Sequence, residues 1–240
     1  MNQREQVNFG RWVFKCVIAL VMILAYSLSF PSVYAATMLE PGLLGKVIVL
    51  DAGHGGPDGG ATGYEGLKEK QITLPVAQMV AKLLRQVGAR VYLTRTTDDD
   101  LATDQDMAMR RRHKTDLRLR KEYVLDKKPD AFVSVHCNAV VSPSWSGAQA
   151  IYMKGNAEGE ELAKIMQRYF KENLLATNRG ADDMSSLYLL KRLPGPTVLA
   201  EIGFITNPNE GQQLATKAYQ ERIAFSIYLS LQAYFGKHTT

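Results

Sequence analysis

The chain has 240 residues, 46% of them hydrophobic and 22% charged, with a formal net charge of +5. That is enough for one domain with a sizeable core, and the balance excludes a disordered chain. The mild basicity suits anionic partners such as wall polymers or a membrane surface. No DNA- or RNA-reading motif accompanies it, so no nucleic acid partner is expected.

Residues 1–35 differ from the rest. Arg4, Arg11 and Lys15 precede an apolar run from Cys16 to Leu28, followed by Pro31 and Val33-Tyr34-Ala35-Ala36. This is the order of a secretory signal peptide cleaved after Ala35. The competing reading is an uncleaved membrane anchor, although the run is short for ~30 Å of hydrocarbon. Either way the domain is expected to be exported, with transient membrane contact through the leader. Removing the leader lowers the net charge from +5 to +3, so part of the basicity belongs to targeting. Of the two cysteines, Cys16 lies in the leader and only Cys137 remains. No intrachain disulfide can form in the mature protein, which must rest on its core, or on a core plus a metal.

Residues 36–45, with Pro41, Gly42 and Gly45, read as a linker, and residues 46–237 as one catalytic domain. Residues 46–51 (KVIVLD) form a short β-branched run typical of a buried parallel strand. A glycine-rich loop follows at 52–66. The spacing of Ile72, Val76, Val80, Leu83, Leu84 and Val87 predicts a helix over 69–87, stopped by Gly88; Pro75 falls in its first turn if the helix begins near Ile72. Residues 89–94 are the second strand. The charged stretch 96–129 holds Arg110-Arg111-Arg112 and a basic helical segment at 116–127, read as a solvated helix face rather than a glycan contact. Strands follow at 130–136, 147–153 and 197–202. A helix through Leu162, Ile165, Met166, Tyr169, Phe170 and Leu174 lies between the last two. Tyr219, Ile223, Ile227, Leu231 and Tyr234 mark a C-terminal helix. The expected fold is α/β, a single domain with a mostly parallel twisted sheet and helices on both faces. Chemistry in such folds collects at the carboxyl ends of the strands.

Three strand ends carry ionisable groups. His54 follows the first strand, with Glu69 at the entry of the next helix. His136 ends the third strand, and Glu201 lies in the fifth. Two histidines and a carboxylate at one sheet edge suit zinc with an open fourth position, and Glu201 suits a general acid–base role. Spacing alone leaves structural histidines as an open alternative, because the residues are dispersed. Cys137 should point to the opposite face of its strand and act as a packed thiol.

The segments VLDAGHGGPDGGATG…GLKEK, ARVYLTR, DAFVSVHCNA and PTVLAEIGFITNPNE arrive in order across residues 46–235. Together they resemble the zinc-dependent N-acetylmuramoyl-L-alanine amidases. The resemblance implies that His54, Glu69 and His136 bind Zn2+ and that Glu201 is catalytic. Glu65 is a nearby acid without the following lysine, so Glu69 is preferred. The segments at 142–152, 176–191 and 214–228 are similar to the germination-specific, spore-cortex branch of that family. This implies peptidoglycan (muropeptide) as substrate and removal of the peptide ahead of muramic-δ-lactam formation. It also implies action in the cell wall or spore envelope space. Arg179 and Asn138 are candidate substrate contacts, Arg179 for a peptide carboxylate. A protein partner is left unspecified. The competing functions are a peptidoglycan carboxypeptidase and a non-catalytic wall-binding module.

Overall fold

The computed structural model describes residue 17, residues 41–108 and residues 110–238. The rest of the expected leader, and residues 36–40 of the expected linker, lie outside the described residues. Among the described residues no helix is long and apolar enough to cross a membrane.

Six strands form one sheet: β1 (Val47–Ala52), β2 (Arg90–Leu93), β3 (Ala131–Asn138), β4 (Gln149–Met153), β5 (Asp182–Met184) and β6 (Thr197–Phe204), in the order β2-β1-β3-β6-β4-β5. The first four in that order are parallel. β4 runs antiparallel to β6, and β5 is parallel to β4. The reversal follows from the connection after β3. It carries no helix, and a parallel return needs a crossover of a dozen or more residues, usually helical. β5 is not among the strands expected from sequence. It is three exposed residues at the sheet edge, too short to show an alternation.

The helices are α1 (Lys70–Gln86), α2 (Asp104–Ala108), α3 (Arg112–Lys127), α4 (Ala157–Asn173), α5 (Pro208–Leu214) and α6 (Lys217–Lys237). Pro75 is the sixth residue of α1, deeper than its sequence placement, and has no N–H to offer the Gln71 carbonyl. Alternation along the strands divides the core in two. Ile48 and Leu50 of β1, with Val133 and Val135 of β3, meet Val76 and Val80 of α1, Leu162 and Met166 of α4, and Ile223 and Ile227 of α6. On the other face Val49, Phe132 and Leu199 meet Val124 of α3 together with Leu189, Leu190 and Leu193. Each such fully buried side chain stabilises the fold by about 1.5–3 kcal/mol. The second face is therefore covered by one helix and an irregular segment.

Two expectations need correction. α3 is not a solvated face on all sides: Asp116, Arg120 and Val124, spaced by four residues, form its buried stripe. Residues 41–45 are docked rather than loose. Leu43 is buried in the larger core, and a Cβ on Gly42 would meet the Gly236 nitrogen at 2.7 Å.

Candidate metal centre

β1 ends at Ala52, and the chain turns through Gly53 into His54, whose backbone lies in the left-handed region at φ 63°. That conformation costs an L-residue about 1–2 kcal/mol, so surrounding contacts must hold it. Glu69 immediately precedes α1 and is buried. Both its oxygens are pinned by backbone: Oε2 accepts from Ala61 N at 2.9 Å and Oε1 from Cys137 N at 2.8 Å. His136 lies in β3, in register with Glu201 of β6. Its neighbour Cys137 joins the core on the opposite face, as strand alternation requires.

His54 Nε2 lies 3.0 Å from Glu69 Oε2, and His136 Nδ1 lies 3.0 Å from Glu69 Oε1. The two imidazoles meet edge to face with centroids 5.0 Å apart. Among the described residues, these three form the cluster able to hold a metal ion, with donor atoms all within 4.8 Å of one another. The glycines of the first loop make the approach possible. A Cβ on Gly53 would stand 2.4 Å from the His136 ring, and one on Gly60 would stand 2.6 Å from both the Glu69 carboxylate and the His54 ring. Two imidazoles and one carboxylate suit a borderline divalent ion, so the donor chemistry fits a metal.

Burial by itself would lower the His54 imidazole. Hydrogen bonds to Asp58 and Glu69, with the charges of both carboxylates, outweigh it and raise the group to about 9. Asp58 Oδ2 lies 2.9 Å from His54 Nδ1, the ring nitrogen facing away from Glu69. A carboxylate on the outer nitrogen is the usual way a metal-binding histidine is oriented. The sequence reading missed Asp58. Its signal was an acid four residues after His54, flanked by glycine and proline within residues 55–60.

Glu201 differs from Glu69. Its Oε2 is buried and has no hydrogen-bond partner. Burial pushes the carboxyl up to about 7 against the pull of His136, with the Glu69 charge adding to the rise. The group is thus poised to take or give a proton near neutrality.

Arg179 lies near Glu201 through Gln149, which pairs in register with Glu201 and accepts from Arg179 Nε at 3.0 Å. The guanidinium also rests on the Trp145 and Phe204 rings, at 5.5 and 5.1 Å. Asn138 stands at the end of β3, where its carbonyl accepts from Ile205 N. The structure therefore brings His54, Glu69, His136 and Glu201 together, with Arg179 beside Glu201 and Asn138 at the same strand end.

Also unforeseen was a buried charge network behind the first loop. Asp51 receives Arg120 Nη1 at 2.8 Å, Ser134 Oγ at 2.6 Å and Thr94 Oγ1 at 2.7 Å. Burial would raise the Asp51 carboxyl. Arg120 leads the interactions that overcome it and hold the group at about 2.

Residues 48–233 match the N-acetylmuramoyl-L-alanine amidase family. The chain is 42% identical over 193 residues to the germination-specific N-acetylmuramoyl-L-alanine amidase of Bacillus subtilis, covering 80% of this chain and 81% of that protein. It is similar in structure to the CwlD amidase of Clostridioides difficile, solved in complex with the GerS lipoprotein. The identity is 36% and the TM-score 0.76, over 79% of this chain and 98% of that one. The catalytic domain of CwlV, an N-acetylmuramoyl-L-alanine amidase of Bacillus (Paenibacillus) polymyxa, matches with a TM-score of 0.69 at 29% identity, over 79% of this chain and 97% of that one.

Proposed function

We propose, since this chain belongs to the N-acetylmuramoyl-L-alanine amidase family, that it hydrolyses the amide between the muramic acid lactyl group and L-alanine, using zinc held by His54, Glu69 and His136. The observation that carries this reading is Glu201, half-buried with its Oε2 buried and unpartnered, in register beside His136. When bound, zinc supplies a Lewis acid that polarises the scissile carbonyl and makes water a better nucleophile. Asp58 and the backbone groups on Glu69 keep the donor atoms aimed, so little reorganisation accompanies binding. Glu201 takes the proton of the attacking water and returns it to the departing alanine nitrogen. Arg179, stacked and held by Gln149, offers its guanidinium to a carboxylate of the stem peptide. Asn138 contacts the same substrate.

The products are a free stem peptide and a sugar bearing a lactyl carboxyl, the group a later lactam closure needs. The identity to a germination-specific relative supports spore cortex as the source of substrate. The leader pattern at 1–35 supports export to the wall or spore envelope, and N-terminal sequencing of the exported protein, expected to begin at Ala36, checks it.

Digestion of defined muropeptides followed by mass spectrometry tests the reaction. Free peptide beginning with alanine is expected, abolished by a chelator and restored by zinc. Glu201→Gln should keep zinc and lose about 10²–10⁴-fold of turnover, the usual worth of a positioned acid–base group. Near-normal turnover in that variant would remove Glu201 from its role. Cleavage between amino acids with the muramic amide intact would mean a carboxypeptidase, and untouched material a binding module.

A further inference from the structure

We propose that Arg120 is a positioning residue for the metal centre: its buried guanidinium sets the backbone of the His54 loop in ligand-presenting form before an ion arrives. The inference rests on the reading of His54, Glu69 and His136 as metal ligands.

Arg120 is 2% exposed, although it lies in the most basic stretch of the chain. Every arm of the guanidinium is engaged. Nε donates to Asp116 Oδ2 at 2.8 Å, Nη1 to Asp51 Oδ1 and to the Ala52 carbonyl at 2.8 Å each, and Nη2 to the His54 carbonyl at 2.6 Å. Arg95 completes the arrangement from the other side, donating from Nε to Ala52 O at 2.9 Å and from Nη2 to Gly53 O at 3.1 Å. The three successive carbonyls of Ala52, Gly53 and His54 are thus all taken by two buried arginines. These are the carbonyls at which the chain leaves β1, and buried backbone acceptors must find donors.

A plain filling role does not account for this choice. Buried ion pairs are costly to desolvate, and well-packed apolar residues commonly stabilise a fold at least as well. What the arginine fork adds is direction. A donor fixed on the His54 carbonyl limits rotation of that peptide, and so helps hold the left-handed backbone at His54. The carboxylates of Asp51 and Asp116 orient the fork, and Leu101 N ties Asp116 to the loop before α2 at 2.8 Å. A lysine has one nitrogen and cannot reach Asp116, Asp51 and both carbonyls together.

The test is zinc affinity measured by competition with a chromophoric chelator on protein shown to be folded by circular dichroism. Arg120→Lys should bind zinc 10- to 100-fold more weakly than wild type, the usual cost of losing an outer partner of a metal ligand. Its turnover should return towards wild type as zinc is raised, because the ligands themselves are intact. Val124→Ala, one turn further along the same buried stripe, should lower the melting temperature and leave zinc affinity within a few-fold. Should Arg120→Lys fail to fold, Asp116→Asn takes its place. It keeps the side-chain shape but puts an amide N–H2 where Arg120 Nε or Leu101 N needs an acceptor, and the same direction of loss is expected. Wild-type affinity in the folded variant, or an equal loss in Val124→Ala, overturns the clamp while leaving the metal site standing. A wild-type protein that takes up no zinc overturns the metal reading and the clamp with it.

Discussion

At the scale of single residues, the centre depends as much on missing atoms as on ligands. Gly53 carries no chemistry, yet its Cα faces the His136 imidazole so closely that a methyl group would sit 2.4 Å from the ring. The ring is held on one side by Glu69 and meets the His54 imidazole edge-on, so it can retreat only by leaving the cluster. Gly53→Ala is therefore expected to cost zinc affinity and turnover together, each by at least 10-fold, with the fold retained. Isothermal titration with zinc and a muropeptide assay on one preparation check this. A variant binding zinc as wild type does would show that His136 has room to move. Gly53 is also not in the positive-φ region, so its need for glycine comes from space and not from backbone conformation.

At the scale of elements, legibility followed the physical signal each element carries. Buried parallel strands announce themselves as β-branched runs, and β1, β3 and β6 were readable for that reason. α1 carries an apolar stripe with helical spacing, and so does α4. α3 has the same periodicity written in charge: Asp116, Arg120 and Val124 face inward, while Arg118 and Glu122 form an exposed pair at 2.9 Å. Hydrophobic patterning cannot tell those arginines apart, so the whole run read as a solvated face. The same blindness hid Asp51, an acid at the end of an apolar strand. His54, Glu69, His136 and Glu201 could be grouped from sequence as ionisable residues near strand ends, but their spacing left structural histidines open, and only the resemblance to the amidase family gave them roles. Asp58 and Arg120 could not be read this way, because their role is set by tertiary contact. Two arginines on one helix give the prediction proper to this scale. Arg118→Ala should change unfolding stability by less than about 0.5 kcal/mol, as exposed pairs do. Arg120→Ala should cost about 3–5 kcal/mol, because it leaves two buried carboxylates without their guanidinium and the His54 carbonyl without its donor. Parallel urea melts decide it, and equal midpoints would mean that solvent reaches the Asp51 side of the sheet.

At the scale of the whole molecule, the buried network couples folding to pH. In the unfolded chain Asp51 titrates at its ordinary value of 3.8. In the folded protein it is held at about 2: burial would raise it, and Arg120 with the Ser134 and Thr94 hydroxyls overrides burial. A carboxyl depressed on folding contributes stability that is fully present above its unfolded value and is lost as pH falls through the folded one. The window is therefore pH 4 down to about 2, and the shift corresponds to about 2 kcal/mol. Wild-type stability should fall across that window more steeply than that of Asp51→Asn, in which this position cannot titrate. Asp51→Asn should be less stable at neutral pH because Arg120 loses a partner, and the gap should narrow by about 2 kcal/mol on acidification. Other carboxylates titrate in both proteins and cancel in the comparison. Urea unfolding of the metal-free proteins at pH 7, 4 and 2.5 measures the gap directly. A gap that stayed constant would mean that Asp51 keeps an ordinary acidity when folded. The Arg120 guanidinium would then be balanced by Asp116 alone, and the support behind the His54 loop would come from α3 rather than from β1.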